Sequence, residues 1–406
     1  MKLLVVGVAT IVACKGGAPA EPIKSAGSGG SAVMPNAPKR WYSAEQHETL
    51  RRQNGEAYAA FRASSCRKAW FLTDSTELDG TNPLADIVNG RGELADCAAR
   101  AAAGFDADCG QRVQHAIAAA IRTKTSCTWP MLTAAQQNQV PSNAFWYADP
   151  YSKFLDSISD VTSAMRSRFD AIVFGQELGR AGTILQRMIG VANIIKHGKA
   201  AMALAGRLPA AKLQAFADEA ARLVEREEPP LNMLVAETLQ EPTALPLKMA
   251  LIGHEDSDSE PLVFEMNADL RAAVSKHCPA NGTLKACFDA LAAHSADSHM
   301  TDATLTSAAA PTQLVAAMNE GRLHDFAEYV QKLAHAHATL VGLRVALATR
   351  QLGHCPTVEE LKASPFREYA APPRLGDTLL IEAKGKTVQI TTPAWISNSG
   401  VAFDCK

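Results

Sequence analysis

The cysteines place the tightest limit on how this chain can fold. Nine occur in 406 residues, the first at position 14 and the other eight between positions 66 and 405. An even set of cysteines in an oxidising compartment is most simply interpreted as a set of disulfides. We therefore predict up to four disulfides among the eight residues Cys66, Cys97, Cys109, Cys127, Cys278, Cys287, Cys355 and Cys405.

The clustering of these cysteines favours closure within each cluster. Cys278 with Cys287 would close the turn between them, and Cys355 with Cys405 would tie the C-terminal segment to the helix before it. For the four cysteines between positions 66 and 127 the pairing stays open. Metal binding is the competing interpretation, but the chain contains no CxxC and no zinc-finger spacing of cysteine and histidine. We accordingly predict no metal site and no cofactor.

The balance of side chains indicates a mainly α fold. Alanine contributes 73 residues to the 47% hydrophobic content, whereas aromatic residues make up only 6%. Small side chains allow helices to pack closely, and sheet sandwiches favour larger ones. We predict a multi-helix bundle braced by disulfides, with a small C-terminal antiparallel sheet. Its hairpin would join residues 377–383 to 387–392, and residues 400–405 would add a third strand.

The net charge excludes one class of partner. Forty basic and 42 acidic side chains leave a formal charge of -2. The chain therefore has no overall basic field with which to hold nucleic acid, and no acidic excess to attract cationic partners.

An export signal is the most specific feature of the N-terminus. Met1 and Lys2 precede a ten-residue apolar run, Leu3–Val12, and Ala13 then precedes Cys14. This order is typical of a secretory signal peptide, here residues 1–13. The run is too short to cross a bilayer as a helix, which needs about 20 apolar residues.

The tetrapeptide Ile11-Val12-Ala13-Cys14 resembles the lipobox of bacterial lipoproteins. The resemblance implies that the Cys14 thiol receives a diacylglycerol and becomes the new N-terminus after cleavage; the alternative is an ordinary signal with an incidental cysteine. Lys15 stands where an aspartate would cause retention at the inner membrane, so the resemblance implies the outer membrane of a Gram-negative cell. Residues 14–40 are poor in bulky side chains and are predicted to form a flexible tether.

Three further segments follow the tether. Residues 41–150 are interpreted as a cysteine-rich helical subdomain, and residues 151–352 as a central helical domain. Within the central domain, the stretch from Ile172 to Ile195 is apolar nearly all round, which indicates a central helix. The longest helix is predicted from about Leu323 to Leu352. Residues 353–406 are predicted to form a small α+β tail.

The tail carries a second resemblance. A long helix followed by Gly353–Pro356, Val358–Leu361, Ser364–Phe366 and a small hairpin is similar to the C-terminal portion of pseudopilin-like domains. Such tails also occur on uncharacterised, mostly helical exported bacterial proteins, which residues 182–184 and 188–190 resemble too. The chain lacks the prepilin peptidase motif at its start, so assembly into a pilus is not implied. The resemblance carries over no catalytic residue.

Histidines and one acidic loop are the candidate metal ligands. His335 and His337 are two residues apart on a helix and point about 200° apart, so they cannot chelate together, and His337 is predicted to be a hydrogen-bonded core residue. His294 and His299 share no helical face. Residues 254–260, with His254, Glu255, Asp256, Asp258 and Glu260, could collect Ca²⁺. They lack the glycine and the glutamate of an EF-hand, so a solvated acidic loop is predicted.

Catalytic motifs are absent from the sequence. It contains no GxSxG elbow, no P-loop and no Rossmann glycine run. Glu177, Arg180 and Arg187 lie in the otherwise apolar central stretch; if buried, they must pair or face a cavity. We predict that they form an exposed face of the helix, and we assign no catalytic residue.

The expected function is that of a lipid-anchored protein of the cell envelope. We expect it to bind or scaffold an envelope partner rather than to catalyse a reaction. One alternative is an envelope hydrolase or metal-dependent enzyme whose site combines distant residues, such as Glu177, Arg180 and the 254–260 loop. A second alternative, a secretion-system accessory, depends only on the pseudopilin-like tail.

Overall fold

The computed structural model divides into two units, residues 1–40 and residues 41–406, and every residue described below lies in the second. The structure describes residues 92–122, 146–180, 184–238, 271–280, 282–297, 311–397 and 400–405, together with single positions 45, 49, 52, 56, 87 and 90. The signal peptide, the tether, Cys14, Cys66, Cys127, His299 and the 254–260 loop therefore lie outside the described residues.

Helices make up most of the described chain, as the alanine content predicts. In chain order they are α1 (Ala95–Arg100), α2 (Ala107–Ala120), α3 (Ala148–Ser157), α4 (Val161–Gly179), α5 (Ile184–Ala205), α6 (Ala210–Glu225), α7 (Pro230–Thr238), α8 (Leu284–Asp297), α9 (Pro311–Leu352), α10 (Val358–Leu361) and α11 (Phe366–Ala370). Short 3₁₀ turns at Gly92–Leu94 and Ala101–Ala103 flank α1. Among the described helices, none is both long enough and apolar enough to cross a membrane.

Side-chain caps set the starts of several of these helices, among them α2 and α4. The Asp106 carboxylate accepts a hydrogen bond from the Cys109 backbone N–H at 2.8 Å, and this begins α2. Asp160 accepts from the Ser163 backbone N–H at 2.7 Å at the start of α4. Each cap satisfies one of the four N–H groups that a helix leaves unpaired at its first turn.

The apolar stretch expected to form one central helix forms two. Helix α4 ends at Gly179 and α5 begins at Ile184, and the two pack against each other antiparallel. Gly175 and Gly190 make this close approach possible: a Cβ built on Gly190 would lie 2.2 Å from the Gly175 carbonyl oxygen. Buried alanines line the same bundle, among them Ala201, Ala205, Ala220, Ala334 and Ala338.

The longest helix, α9, is twelve residues longer at its start than predicted, since it begins at Pro311 rather than near Leu323. It packs against α5, α8 and α6. Proline is well suited to the first position of a helix, where its missing N–H has no intrahelical partner to lose.

The small C-terminal sheet is antiparallel, as predicted. Its strands β1 (Leu380–Lys384), β2 (Thr387–Thr391) and β3 (Val401–Asp404) lie in the order β1-β2-β3. Lys384 pairs with Thr387, so the hairpin turns on two residues, and the first of them, Gly385, has a φ of 64° that favours glycine. Val388 and Ile390 point from β2 into the core.

Within the residues that the structure describes, three disulfides brace the fold. Cys278–Cys287 and Cys355–Cys405, the two pairs that the spacing predicts, have Cα–Cα distances of 4.6 and 5.2 Å. The third, Cys97–Cys109, has a Cα–Cα distance of 5.5 Å and joins α1 to α2. This disulfide fixes the pairing of two of the four cysteines between positions 66 and 127, which the sequence had left open. All three distances fall within the range that a disulfide requires.

Candidate functional site

A set of charged side chains is buried where α4, α5, α9 and the link between α6 and α7 meet. The prediction that Glu177, Arg180 and Arg187 form an exposed helix face is wrong. The side chains of Glu177, Arg180 and Arg187 are only 5%, 9% and 11% exposed. The physical reason is the break after α4: the chain turns back into α5, and the α6–α7 link then packs over this end of the helix pair.

Arg187 and Glu228 form a short, largely buried ion pair in this set. Arg187 Nη1 donates to Glu228 Oε2 at 2.8 Å, and Nη2 donates to the Glu228 backbone oxygen at 2.9 Å. Gly179 leaves room for the arginine, because a Cβ there would lie 2.7 Å from Arg187 Cδ. Burial lowers the pKa of Arg187, and the neighbouring glutamates oppose that shift. A guanidinium stays charged even so, and its partner offsets part of the cost of removing it from water.

Glu177 holds two arginines together. Arg226 Nη2 donates to Glu177 Oε1 at 2.8 Å, and Arg180 approaches the same carboxylate at 3.3 and 3.4 Å. The Arg226 side chain is 44% exposed, so this pair extends from the core to solvent.

Glu227 connects the long helix and the C-terminal region to the same cluster. Its carboxylate contacts Nδ1 of His337, and its backbone oxygen accepts a hydrogen bond from Arg374. His337 is fully buried, so its prediction as a core residue is confirmed. Only one of the two ring nitrogens has a partner. Nδ1 contacts Glu227, whereas Nε2 has no partner among the described residues.

A narrow crevice opens beside these ion pairs. Its cavity volume is only about 20 Å³, and the total reaches about 480 Å³ when the open solvent at its mouth is counted. Its charged lining consists of Arg180, Arg187, Arg226, Glu227, Glu228 and Arg374, and its apolar lining includes Val191, Ile194, Leu284, Leu333 and Ala336.

Gln176 also lines the crevice and is 7% exposed. Its Nε2 donates to the Leu223 backbone oxygen at 2.7 Å, which fixes the orientation of the amide. Its Oε1 is buried and has no partner among the residues that the structure describes. A buried acceptor without a donor is costly, so the folded state bears the cost of this unpaired atom.

Arg168 forms a second buried polar cluster between α3, α4 and α5. It is 1% exposed; its Nη2 donates to Asp156 at 2.5 Å and its Nη1 lies 2.8 Å from His197 Nδ1. Burial lowers the pKa of Arg168, and burial together with Arg168 lowers the pKa of His197 well below its usual value. His197 is therefore neutral and accepts from the guanidinium. Arg168 also donates to Ser152, so this cluster joins the three helices.

Among the described residues, the other candidate histidine ligands do not form a cluster. His335 and His337 lie in α9, and His294 packs its ring against His277 with centroids 4.8 Å apart. Within the described ranges, two groups of acidic residues approach a cysteine, one with Asp96 and one with Asp106 and Asp108. Both rely on sulfurs of the Cys97–Cys109 disulfide, which are not available as thiolates.

Acid is expected to destabilise the protein through His335. Burial, with a smaller contribution from Lys199, lowers the pKa of His335 to about 4. An unfolded histidine has a pKa near 6.5, so below that pH the unfolded state binds the proton more readily than the folded state. The free energy of unfolding should therefore fall as the pH is lowered from about 6.5 to about 4.

Urea unfolding at pH 7 and pH 5 measures this difference. His335→Gln should show a smaller loss between the two pH values than the wild type. His115→Gln is the matched control, because that side chain is exposed on the surface of α2. An equal pH dependence in H335Q and wild type would contradict the prediction.

The sequence pointed to three members of the crevice cluster. Glu177, Arg180 and Arg187 stand out because they interrupt an apolar stretch, whereas Gln176, Glu227, Glu228 and Arg374 were missed. One signal was present: three consecutive charged residues, Arg226 to Glu228, lie between an amphipathic helix and Pro229-Pro230. Arg374 carries no such signal, because it lies 147 residues from the backbone oxygen that it contacts.

Comparison with protein-family models, with curated proteins and with solved structures gives no match to this chain.

Proposed function

We propose that this chain is a lipid-anchored binding protein of the bacterial cell envelope, with an acylated Cys14 as its anchor and the crevice as its ligand site. The apolar run that ends at Ile11–Cys14 supports the anchor. The three disulfides support an oxidising compartment, because disulfides of this kind persist outside the cytosol. Outer-membrane sorting follows from Lys15 by the same resemblance.

The crevice is the observation that carries the binding role. The guanidinium groups of Arg180, Arg187 and Arg226 are held in position by ion pairs before any ligand arrives, and apolar side chains line the same crevice. Such preorganisation lowers the entropy lost on binding. The carboxylates of Glu177, Glu227 and Glu228 are each engaged by an arginine or a histidine. A general base has to be free to accept a proton, so this arrangement favours binding over acid–base catalysis.

Cys14→Ser is expected to release the protein from membranes. Several acyl chains on one residue anchor a protein firmly, because each buried methylene contributes about 0.8 kcal/mol. The wild type should sediment with membranes and yield an acylated N-terminal peptide, whereas C14S should be found in the soluble fraction. The control is the double variant Cys278→Ser/Cys287→Ser, which loses a disulfide and should still sediment. C14S that sediments like the wild type would rule out the lipid anchor.

Release of bound molecules tests the ligand site. The protein is purified from membranes without denaturation and then denatured, and the released small molecules and peptides are identified by mass spectrometry. The wild type should release a molecule that the variant Arg226→Gln/Arg374→Gln does not, because both guanidiniums line the crevice. Equal release from both proteins, or release from neither, would count against the crevice as the site.

A further inference from the structure

The three disulfides of the described chain differ in how far solvent can reach them. Two are buried, and all four of their cysteines are at most 2% exposed: Cys97, Cys109, Cys278 and Cys287. In the third, Cys405 is 9% exposed, and Cys355 is half-buried and directly follows the four exposed residues 351–354. A thiolate has to reach a sulfur atom in order to break a disulfide. Cys355 is therefore the cysteine at which an external thiol has the best access.

The Cys355–Cys405 disulfide holds the last strand of the sheet in place. Cys405 directly follows β3, and the disulfide ties it to the end of α9, 50 residues earlier. Strand β3 lies at one edge of the sheet and pairs with β2 over four residues, and its Val401 and Phe403 are buried. Short edge elements open more readily than the core of a protein. Once the disulfide is broken, only non-covalent contacts of a short strand hold β3.

A positive charge lies close to one of the two sulfurs. Arg350 and Cys405 line a second, smaller cleft at the end of α9. Arg350 Nη2 donates to the Leu208 backbone oxygen at 3.3 Å, whereas its buried Nε has no partner among the residues that the structure describes. The Asp404 carboxylate also belongs to this cleft, but it is exposed and accepts a hydrogen bond from Thr387. A neighbouring cation stabilises a thiolate and makes it a better leaving group.

We infer that Cys355–Cys405 is a reducible latch on β3, which an external dithiol of the thioredoxin class opens. One thiolate of the dithiol attacks Cys355 Sγ and forms a mixed disulfide there. The Cys405 thiolate leaves beside Arg350 with the electron pair of the broken S–S bond and takes up a proton. This inference goes beyond the binding role and does not depend on what the crevice beside Arg187 accepts.

The second thiol of the dithiol completes the reaction. It attacks the dithiol's own sulfur in the mixed disulfide, which expels Cys355 as a thiolate that is then protonated. Two electrons have passed to the latch: the protein now carries two thiols, and the dithiol has become a disulfide. With the latch open, β3 separates from β2.

Timed reduction of the native protein with dithiothreitol tests the latch. The full chain is purified without reductant and treated with dithiothreitol, and the free thiols are alkylated and mapped by mass spectrometry. We expect Cys355 and Cys405 to be alkylated roughly tenfold or more faster than the four buried cysteines, because access limits the attack. In urea the three disulfides should be reduced at similar rates. Equal rates in the native protein, faster reduction of a buried disulfide, or the same preference in urea overturns the inference.

A thioredoxin whose second active-site cysteine is replaced by serine identifies the sulfur that is attacked. This probe stops at the mixed disulfide, because it lacks the thiol that would resolve it. We expect an adduct on Cys355. An adduct on Cys405 or on a buried cysteine, or the absence of any adduct, overturns the inference.

Arg350→Gln tests the leaving group. The variant should slow reduction of Cys355–Cys405 roughly threefold or more and leave the other two disulfides unchanged, because the thiolate loses its cation. Arg350→Lys keeps the charge and should restore most of the rate. The matched control is Arg367→Gln, an exposed arginine in the same region, which should react like the wild type. An R350Q rate equal to that of the wild type contradicts the assignment of Cys405 as the leaving group.

Hydrogen exchange followed by mass spectrometry measures the opening of β3. In Cys355→Ser/Cys405→Ser and in the selectively reduced wild type, residues 387–404 should exchange roughly tenfold or more faster than in the oxidised wild type, whereas α4 and α5 should not change. The matched control, Cys278→Ser/Cys287→Ser, should affect α8 and leave β3 as it is in the wild type. Unchanged exchange of β3 in the reduced protein, or equally fast exchange of β3 in the control variant, overturns the inference.

Discussion

Glu228→Gln is expected to destabilise the protein by about 3–5 kcal/mol, the range observed when one partner of a buried ion pair is removed. The Arg187 side chain is 11% exposed and that of Glu228 6%, so the substitution leaves a guanidinium in the core without its charged partner. The remaining hydrogen bond from Arg187 to the Glu228 backbone oxygen cannot neutralise that charge. Glu228 also accepts from Asn232 at 2.8 Å, so the start of α7 should loosen as well.

Urea unfolding followed by circular dichroism measures the loss. The control is Glu382→Gln, which removes a carboxylate from the exposed pair with Lys384 and should leave the unfolding midpoint unchanged. The double variant Arg187→Met/Glu228→Gln should be more stable than E228Q alone, because it no longer buries an unpaired charge. An E228Q midpoint equal to that of the wild type would show that this pair is not buried in solution.

Gly190→Ala is the second substitution with a large expected effect, about 3 kcal/mol of destabilisation. The new Cβ would lie 2.2 Å from the Gly175 carbonyl oxygen, which belongs to the backbone of α4 and cannot rotate away. The two helices would have to separate, and the packing between them would be lost along their length.

Gly206→Ala is the matched control for this clash. A Cβ there would lie 3.8 Å from the Asp404 backbone oxygen, which is an ordinary van der Waals distance. Thermal unfolding should therefore show a lower midpoint for G190A and little change for G206A. The Cβ of Gly175→Ala would lie 2.8 Å from the Gly190 carbonyl oxygen, so this substitution should also destabilise the protein. A G190A midpoint as high as that of G206A would argue against the close helix contact.

Local features of the chain predicted much of the fold. Alanine content indicated packed helices, and the alternating residues on either side of Gly385 indicated the hairpin, because these are short-range preferences. The break between α4 and α5 was missed because residues on both sides of it are apolar, and hydrophobicity alone does not mark a turn inside a buried segment. The start of α9 at Pro311 was missed because the prediction relied on the regular apolar spacing that begins at Leu323.

The site was less predictable than the fold. Glu177 and Arg187 were identified as unusual, but whether a charged residue on an apolar helix is exposed depends on what covers it. Here the cover comes from the α6–α7 link and from Arg374, far along the chain. Contacts of that kind are set by tertiary packing and leave no periodic signal in the sequence.

Glu227 and Glu228 join three parts of the molecule at two consecutive residues. Through their side chains and backbone oxygens they contact Arg187 of the helix hairpin, His337 of the longest helix and Arg374 of the C-terminal region. Under the proposed binding role, folding and recognition draw on the same few atoms, so a substitution of these side chains that changed what the crevice accepts would also loosen the scaffold.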